Sequence, residues 1–285
     1  MSNTTLDSIT LSDPSNPIGV HPYNLLEHHR QGSQLVKLLR KPGRYEESRP
    51  SKGLHKLQNL LQVFSHPHID QARFATVNGM IDPATNAPTV ALVSTFHEKG
   101  NILKQSATMR QRVKWLIQIC KAVEYLHKKN IVHGNIYPGN ILISSNEHKA
   151  VLTDVGVYAS IAEHLMPLVE GDRQASIHCP ESITCKTVAA VGNHDGKVPA
   201  SQTTKDDDIF ALGVTIWTVY QREKPWKGQN VSLKILSNGH GALPRPQGMG
   251  DGLWNLLGDL LSQHGNAVPS IQEIEQALVD ALNLL

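Results

Sequence analysis

The chain has 285 residues, 40% of them hydrophobic, which is enough apolar material for one large or two small domains with a true core. Its net charge of +2 arises from 27 basic and 25 acidic residues spread along the sequence, apart from the run "KLLRKPGR". That dispersal excludes the concentrated basic footprint of a nucleic-acid binder. Three cysteines (Cys120, Cys179 and Cys185) with no Cys-x-x-Cys pair argue against a disulfide frame or structural zinc and for a reducing compartment.

Residues 1–20 are rich in Ser, Asn, Asp and Pro and lack the basic start and apolar run of a signal peptide, so a disordered tail is expected. "QLVKLLR" (34–40) reads as a strand, followed by the turn-forming "KPGRYEESRPSKG". Leu54, Leu57, Leu61 and Phe64 mark one face of a helix that Ser65 to Pro67 should stop. "RFATVNGMID" and "APTVALVSTF" form a hairpin joined through Asp82, Pro83 and Asn86, and "EKGN" (98–101) ends the strand-rich part. Thr108-x-x-Gln111 then opens a long amphipathic helix with Val113, Leu116, Ile117, Cys120 and Val123 inward.

"ILI" (141–143) and "AVLT" (150–153) make a second hairpin. The run Ile209 to Val219 is apolar on nearly every face, as a central buried helix would be, and a last helix starts at Ser270-x-x-Glu273. "IFALGVTIWTVY" falls short of the ~20 residues that cross a bilayer, so a soluble, cytoplasmic protein with no membrane partner is expected. The fifteen histidines, including "EHHR" and "SHPHID", lack the i, i+4 spacing with a carboxylate that zinc enzymes use.

"ICKAVEYLHKKNIVHGNIYPGNILI", "LTDVGV", "HCPES" and "DDIFALGVTIWTVYQREKPW" stand in this order. They resemble the long helix and catalytic loop, the Asp-Phe-Gly segment, the Ala-Pro-Glu segment and the central helix of eukaryotic protein kinases. The resemblance implies an α+β, two-lobed fold: a β-rich N-lobe over 21–96 and a mainly helical C-lobe over 97–285. Fold alone confers no activity, so each position must be weighed for itself.

Phosphoryl transfer is mainly positioning and charge neutralisation. By resemblance, Lys37 matches the strand lysine that holds phosphates, and Asn140 and Asp154 match the two metal-binding positions. Each also has a plain structural reading: a solvated strand lysine, an amide tying its own loop, a carboxylate satisfying backbone donors. Leu35, Ser94, Phe96 and Leu142, with Lys37, correspond to the lining of a nucleotide pocket. Leu35 stands where the family carries alanine and should crowd the base.

The losses are more numerous. Asn135 replaces the catalytic aspartate, and an amide cannot take a hydroxyl proton; losing that assistance costs ~10²–10⁴ in rate. Tyr137 replaces a phosphate-facing lysine, and Gly134 an arginine that senses a phosphorylated loop. One glycine in "YNLLEHHRQGSQLV" cannot supply a glycine-rich phosphate cover, and Leu57 falls where a glutamate would pair with Lys37. His133, Glu181 and Asp208 are expected to be structural, although Val268 replaces the arginine partner of Glu181.

The resemblance therefore implies a pseudokinase that binds another protein, such as an active kinase or signalling component, as regulator or scaffold. ATP with Mg²⁺ or Mn²⁺ would bind weakly or not at all. The alternative is a nucleotide-binding enzyme transferring a phosphoryl or nucleotidyl group with Lys37, Asn140 and Asp154. The polar insertion within 182–207 is a candidate partner surface.

Overall fold

The computed structural model describes residues 7–20, 26–39, 50–63, 65–82, 86–145, 148–157, 204–225, 243–261 and 268–285. They divide into two compact units: residues 1–65 with 70–97, and residues 66–69 with 98–285. Each is taken by itself. Glu181 and most of the 182–207 insertion lie outside the described residues.

Among the described residues, the first unit is a six-stranded sheet with one helix. Its strands are β1 (Asp7–Ile9), β2 (Gly19–Val20), β3 (Leu26–Gln31), β4 (Gln34–Leu39), β5 (Arg73–Asp82) and β6 (Ala87–Thr95), in the order β1-β5-β6-β4-β3-β2. The β5–β6 hairpin has the expected extent, and Asn86 takes a left-handed conformation (φ 51°) in its connection, as a short polar turn residue can. Helix α1 (Pro50–Val63) begins inside the segment expected to be a turn, because Pro50 occupies the first helical position, where its fixed φ suits the helix and its missing N–H costs nothing.

The disordered-tail expectation does not describe residues 7–20. β1 pairs in parallel with β5, Asp7 opposite Ala75 and Ile9 opposite Val77. The chain then crosses to the other edge of the sheet, where Ser12 N–H donates to Gln31 Oε1 (2.9 Å) and Ile18 N–H to the His28 carbonyl (2.8 Å). Ile9 and Leu11 close a core with Val36, Leu38, Ala75, Val77, Ala91 and Val93 on one face of the sheet. Burying two such side chains contributes about 1.5–3 kcal/mol each, which offsets the entropy of ordering a polar segment.

The second unit is built on α2 (Met109–Lys128), which packs against β8 (Ala150–Leu152), α3 (Lys205–Gln221) and α5 (Ile271–Leu284); α4 (Asp251–Leu261) lies between α3 and α5. Val113, Leu116, Ile117, Cys120 and Val123 of α2 are all buried. Its N-cap is Thr108, whose hydroxyl accepts from Gln111 N–H at 3.2 Å. α5 carries the full reciprocal box between Ser270 and Glu273, and α3 an unforeseen one between Thr204 and Asp207. α3 is buried from Asp207 to Tyr220, as an all-round apolar helix must be. β7 (Ile141–Ile143) and β8 form a two-stranded sheet. Residues 66–69 join this unit: the Leu152 N–H donates to the His68 carbonyl, and His66 stacks on Tyr125. Among the described residues, no helix is long and apolar enough to cross a membrane.

Candidate functional site

In the first unit the hairpin register decides which side chains share a face. Gly32 (φ 59°) and Ser33 form the two-residue turn between β3 and β4, so Gln31 faces Gln34, Arg30 faces Leu35 and His28 faces Lys37. The glycine of "RQGSQ" is thereby used in a hairpin turn, not over a phosphate. The β2–β3 connection, residues 21–25 ("HPYNL"), has no glycine, and its proline has no N–H to offer an anion.

Across β4 and β6, Leu35 pairs with Ser94 and Lys37 with Leu92. Leu35, Lys37 and Ser94 therefore lie on one face, the opposite one from the Ile9/Leu11 core. Phe96 is tied to the β3–β4 turn by its N–H to the Ser33 carbonyl (2.8 Å), and the Arg30 guanidinium sits 4.4 Å from its ring centre. This cation–π pair lies directly beside Leu35, because Arg30 is the cross-strand partner of Leu35. Neither His28 nor Arg30 is found by motif matching; the Gly-Ser turn, counted outward in pairs, would have found both.

Lys37 is only 4% exposed, which excludes a solvated strand lysine. α1 contains no carboxylate along its whole length, and Leu57 is buried within it. Any anionic partner of Lys37 thus comes from outside α1.

In the second unit one loop gathers most of the predicted residues. Asp208, at the start of α3 and 1% exposed, accepts from His133 N–H (Oδ2, 2.8 Å) and Gly134 N–H (Oδ1, 2.9 Å), and contacts His127 Nε2 (Oδ2, 2.9 Å). His127 was not singled out from sequence. Its place in the last turn of α2, where a helix favours positive charge, was the available signal.

The His133 ring is fully buried and its tautomer follows from its neighbours. Nδ1 accepts from Asn135 N–H (3.1 Å), so the proton sits on Nε2, which donates to the Thr153 carbonyl (2.9 Å). Burial pushes its pKa below the ordinary 6.5, against the pull of Asp208, so the ring stays neutral. Asn140 Nδ2 donates to the Asn135 carbonyl (3.0 Å), and the Asn140 carbonyl accepts from Thr153 N–H (2.9 Å). The loop from 133 to 140 is thus braced from α3, from β8 and from within.

At the tip of this brace stands Asn135, 4% exposed, with Oδ1 buried and bonded to nothing among the described residues. Such an oxygen can accept a hydrogen bond, and leaving it unsatisfied costs about 1–3 kcal/mol. The Tyr137 ring folds over Gly139, where an added Cβ would run into Cε2; the absence of a side chain at 139 makes room for the ring. Leu142 pairs with Val151 and bridges Asn101. Asp154 adopts φ 63°, a costly backbone for a residue with a side chain, and its carbonyl accepts from Val157 N–H (3.2 Å). Val155 is buried, and Val268 is 42% exposed.

Asn140 Oδ1 and the Asp154 carboxylate are hard oxygen donors of the kind magnesium takes. Among the described residues, no group of three or more His, Cys, Asp or Glu side chains is placed to hold a metal.

A family model described as protein tyrosine and serine/threonine kinase matches residues 23–278. Among curated relatives, the mitogen-activated protein kinase kinase kinase dlk-1 of Caenorhabditis elegans is 24% identical over 78% of this chain and 23% of its own. The serine/threonine-protein kinase STK11 of Gallus gallus is 30% identical over 57% of this chain and 34% of its own. A putative mitogen-activated protein kinase kinase kinase 7-like protein of Drosophila melanogaster is 24% identical over 74% of this chain and 53% of its own. The chain thus spans between a quarter and about half of the length of these relatives. With a family match over most of its residues and a β-rich unit followed by a helical one, the chain belongs to the protein tyrosine and serine/threonine kinase family.

Proposed function

We propose that this protein is a pseudokinase, acting by binding another signalling protein as regulator or scaffold and transferring no phosphate itself. The observation that carries the reading is Asn135: an amide held at the tip of a loop that keeps its whole backbone brace. Its Oδ1 can orient a hydroxyl but cannot remove the proton. The first unit supports the same reading through the carboxylate-free α1, the glycine-free 21–25 connection and the Arg30–Phe96 pair beside Leu35.

Thermal-shift titration with ATP, with and without Mg²⁺ or Mn²⁺, tests the nucleotide half of this reading. Little or no stabilisation at millimolar ATP is expected; a metal-dependent rise lost in both Lys37→Ala and Asp154→Ala would overturn it. A second reading, a nucleotide-using enzyme of altered chemistry, rests on the buried Lys37 and the strained backbone of Asp154. In that case Asn140 Oδ1 and Asp154 would hold the metal, which would neutralise phosphate charge, and Lys37 would bind the phosphates.

The partner-binding half assigns the interaction to the polar insertion. Deleting residues 190–203 is expected to leave the melting temperature unchanged and abolish partner co-purification; retained co-purification would move the surface elsewhere.

A further inference from the structure

The second unit contains a pair of arginines that the catalytic loop does not use. Arg112 sits in the first turns of α2 and is 5% exposed. Among the described residues its NH2 donates to the Gln105 carbonyl at a long 3.3 Å, and its buried Nε has no acceptor. Arg222, exposed at the C-cap of α3, donates NH2 to the Leu103 carbonyl (3.0 Å). Both guanidinia are thus fastened to one short loop.

That loop is itself fixed. Asn101 Oδ1 accepts from the N–H groups of Leu103 and Lys104, and the Gln105 side chain donates to the Lys99 and Asn101 carbonyls. Among the described residues no carboxylate lies within ion-pair distance of either arginine, including the neighbouring Glu223. Burial, reinforced by the Arg222 charge, pushes Arg112 below the ordinary guanidinium range. The first turn of α2 has no acidic residue, so the positive end of the helix adds to the same field.

A buried guanidinium with an unsatisfied donor, a second guanidinium beside it and no counter-charge among the described residues is a costly arrangement in a free protein. A dianion bound to both would remove the cost. We propose that Arg112 and Arg222, on the loop Leu103–Gln105 at the start of α2, form a binding site for a phosphoryl group. Planar N–H forks suit phosphate oxygens, and two charges suit a dianion. The site does not depend on whether the chain transfers phosphate, because it uses no residue of the 133–140 loop.

The test is a calorimetric and thermal-shift titration of the full chain with inorganic phosphate at constant ionic strength, chloride serving as control. A parallel arm uses a phosphoserine hexapeptide and its unphosphorylated form. Saturable phosphate binding is expected, weakened at least tenfold in both Arg112→Gln and Arg222→Asn. Arg222→Asn is exposed and retains a residue that accepts the left-handed backbone (φ 59°), so it reports on binding even if Arg112→Gln folds poorly. Tighter binding of the phosphopeptide than of phosphate would identify a peptide source, and equal binding a free ion. No saturable binding up to 50-fold above about 1 mM, or binding unchanged in Arg222→Asn, would overturn the proposal.

Discussion

On the proposed reading, the two units depart from a working phosphotransfer site in different ways. In the second, the supports are intact and the changes sit at the tips: Asp208, His133 and Thr153 hold the loop, while Asn135, Gly134 and Tyr137 alter what it presents. In the first, on the same reading, the supports themselves differ from those the resemblance implies. α1 carries no carboxylate, the 21–25 connection no glycine, and the face of Lys37 and Leu35 is flanked by His28 and Arg30.

The largest effect should come from the brace. Asp208→Ala would leave two backbone N–H groups and His127 without their carboxylate, and should cost about 3–5 kcal/mol in urea unfolding. A loss under about 1 kcal/mol would show that the brace is not what preserves the loop. In the first unit, Ile9→Ala should cost about 2 kcal/mol, because it opens the core that the N-terminal segment closes; an unchanged midpoint would return residues 7–20 to the status of a tail.

Acidification separates the units less strongly. The neutral, buried His133 resists a proton that the unfolded chain accepts, so stability should be full above pH 6.5 and fall as pH drops from there toward the lowered native pKa. Melting temperatures from pH 7.5 to 5 check this, and His133→Gln should flatten the slope even though it lowers the curve. The smallest effect concerns Tyr137. Gly139→Ala should displace its ring and cost about 0.5–1 kcal/mol, and that cost should vanish in a Tyr137→Ala background.

Which parts were legible in the sequence follows from the range of the interactions. α2, α3 and the β5–β6 hairpin announce themselves through local periodicity and caps. The 133–140 loop was legible because its residues are neighbours in sequence, and Asp208 through its motif at the start of α3. β1 was not: Asp7 and Ile9 pair with residues 68 positions away, and a polar composition concealed two buried side chains. Gln31, which receives Ser12, gave no sign of it for the same reason. The Arg112–Arg222 pair was hidden because it joins α2 to the end of α3 across more than a hundred residues.

The most direct measurement is single-turnover transfer from γ-labelled ATP, to the protein itself and to a generic acceptor, by the wild type and by Asn135→Asp. If, as proposed, the first unit does not position nucleotide, no transfer above background is expected from either protein, although the substitution restores a carboxylate to an intact loop. Transfer by the wild type that is abolished by Asp154→Ala would contradict the proposed function.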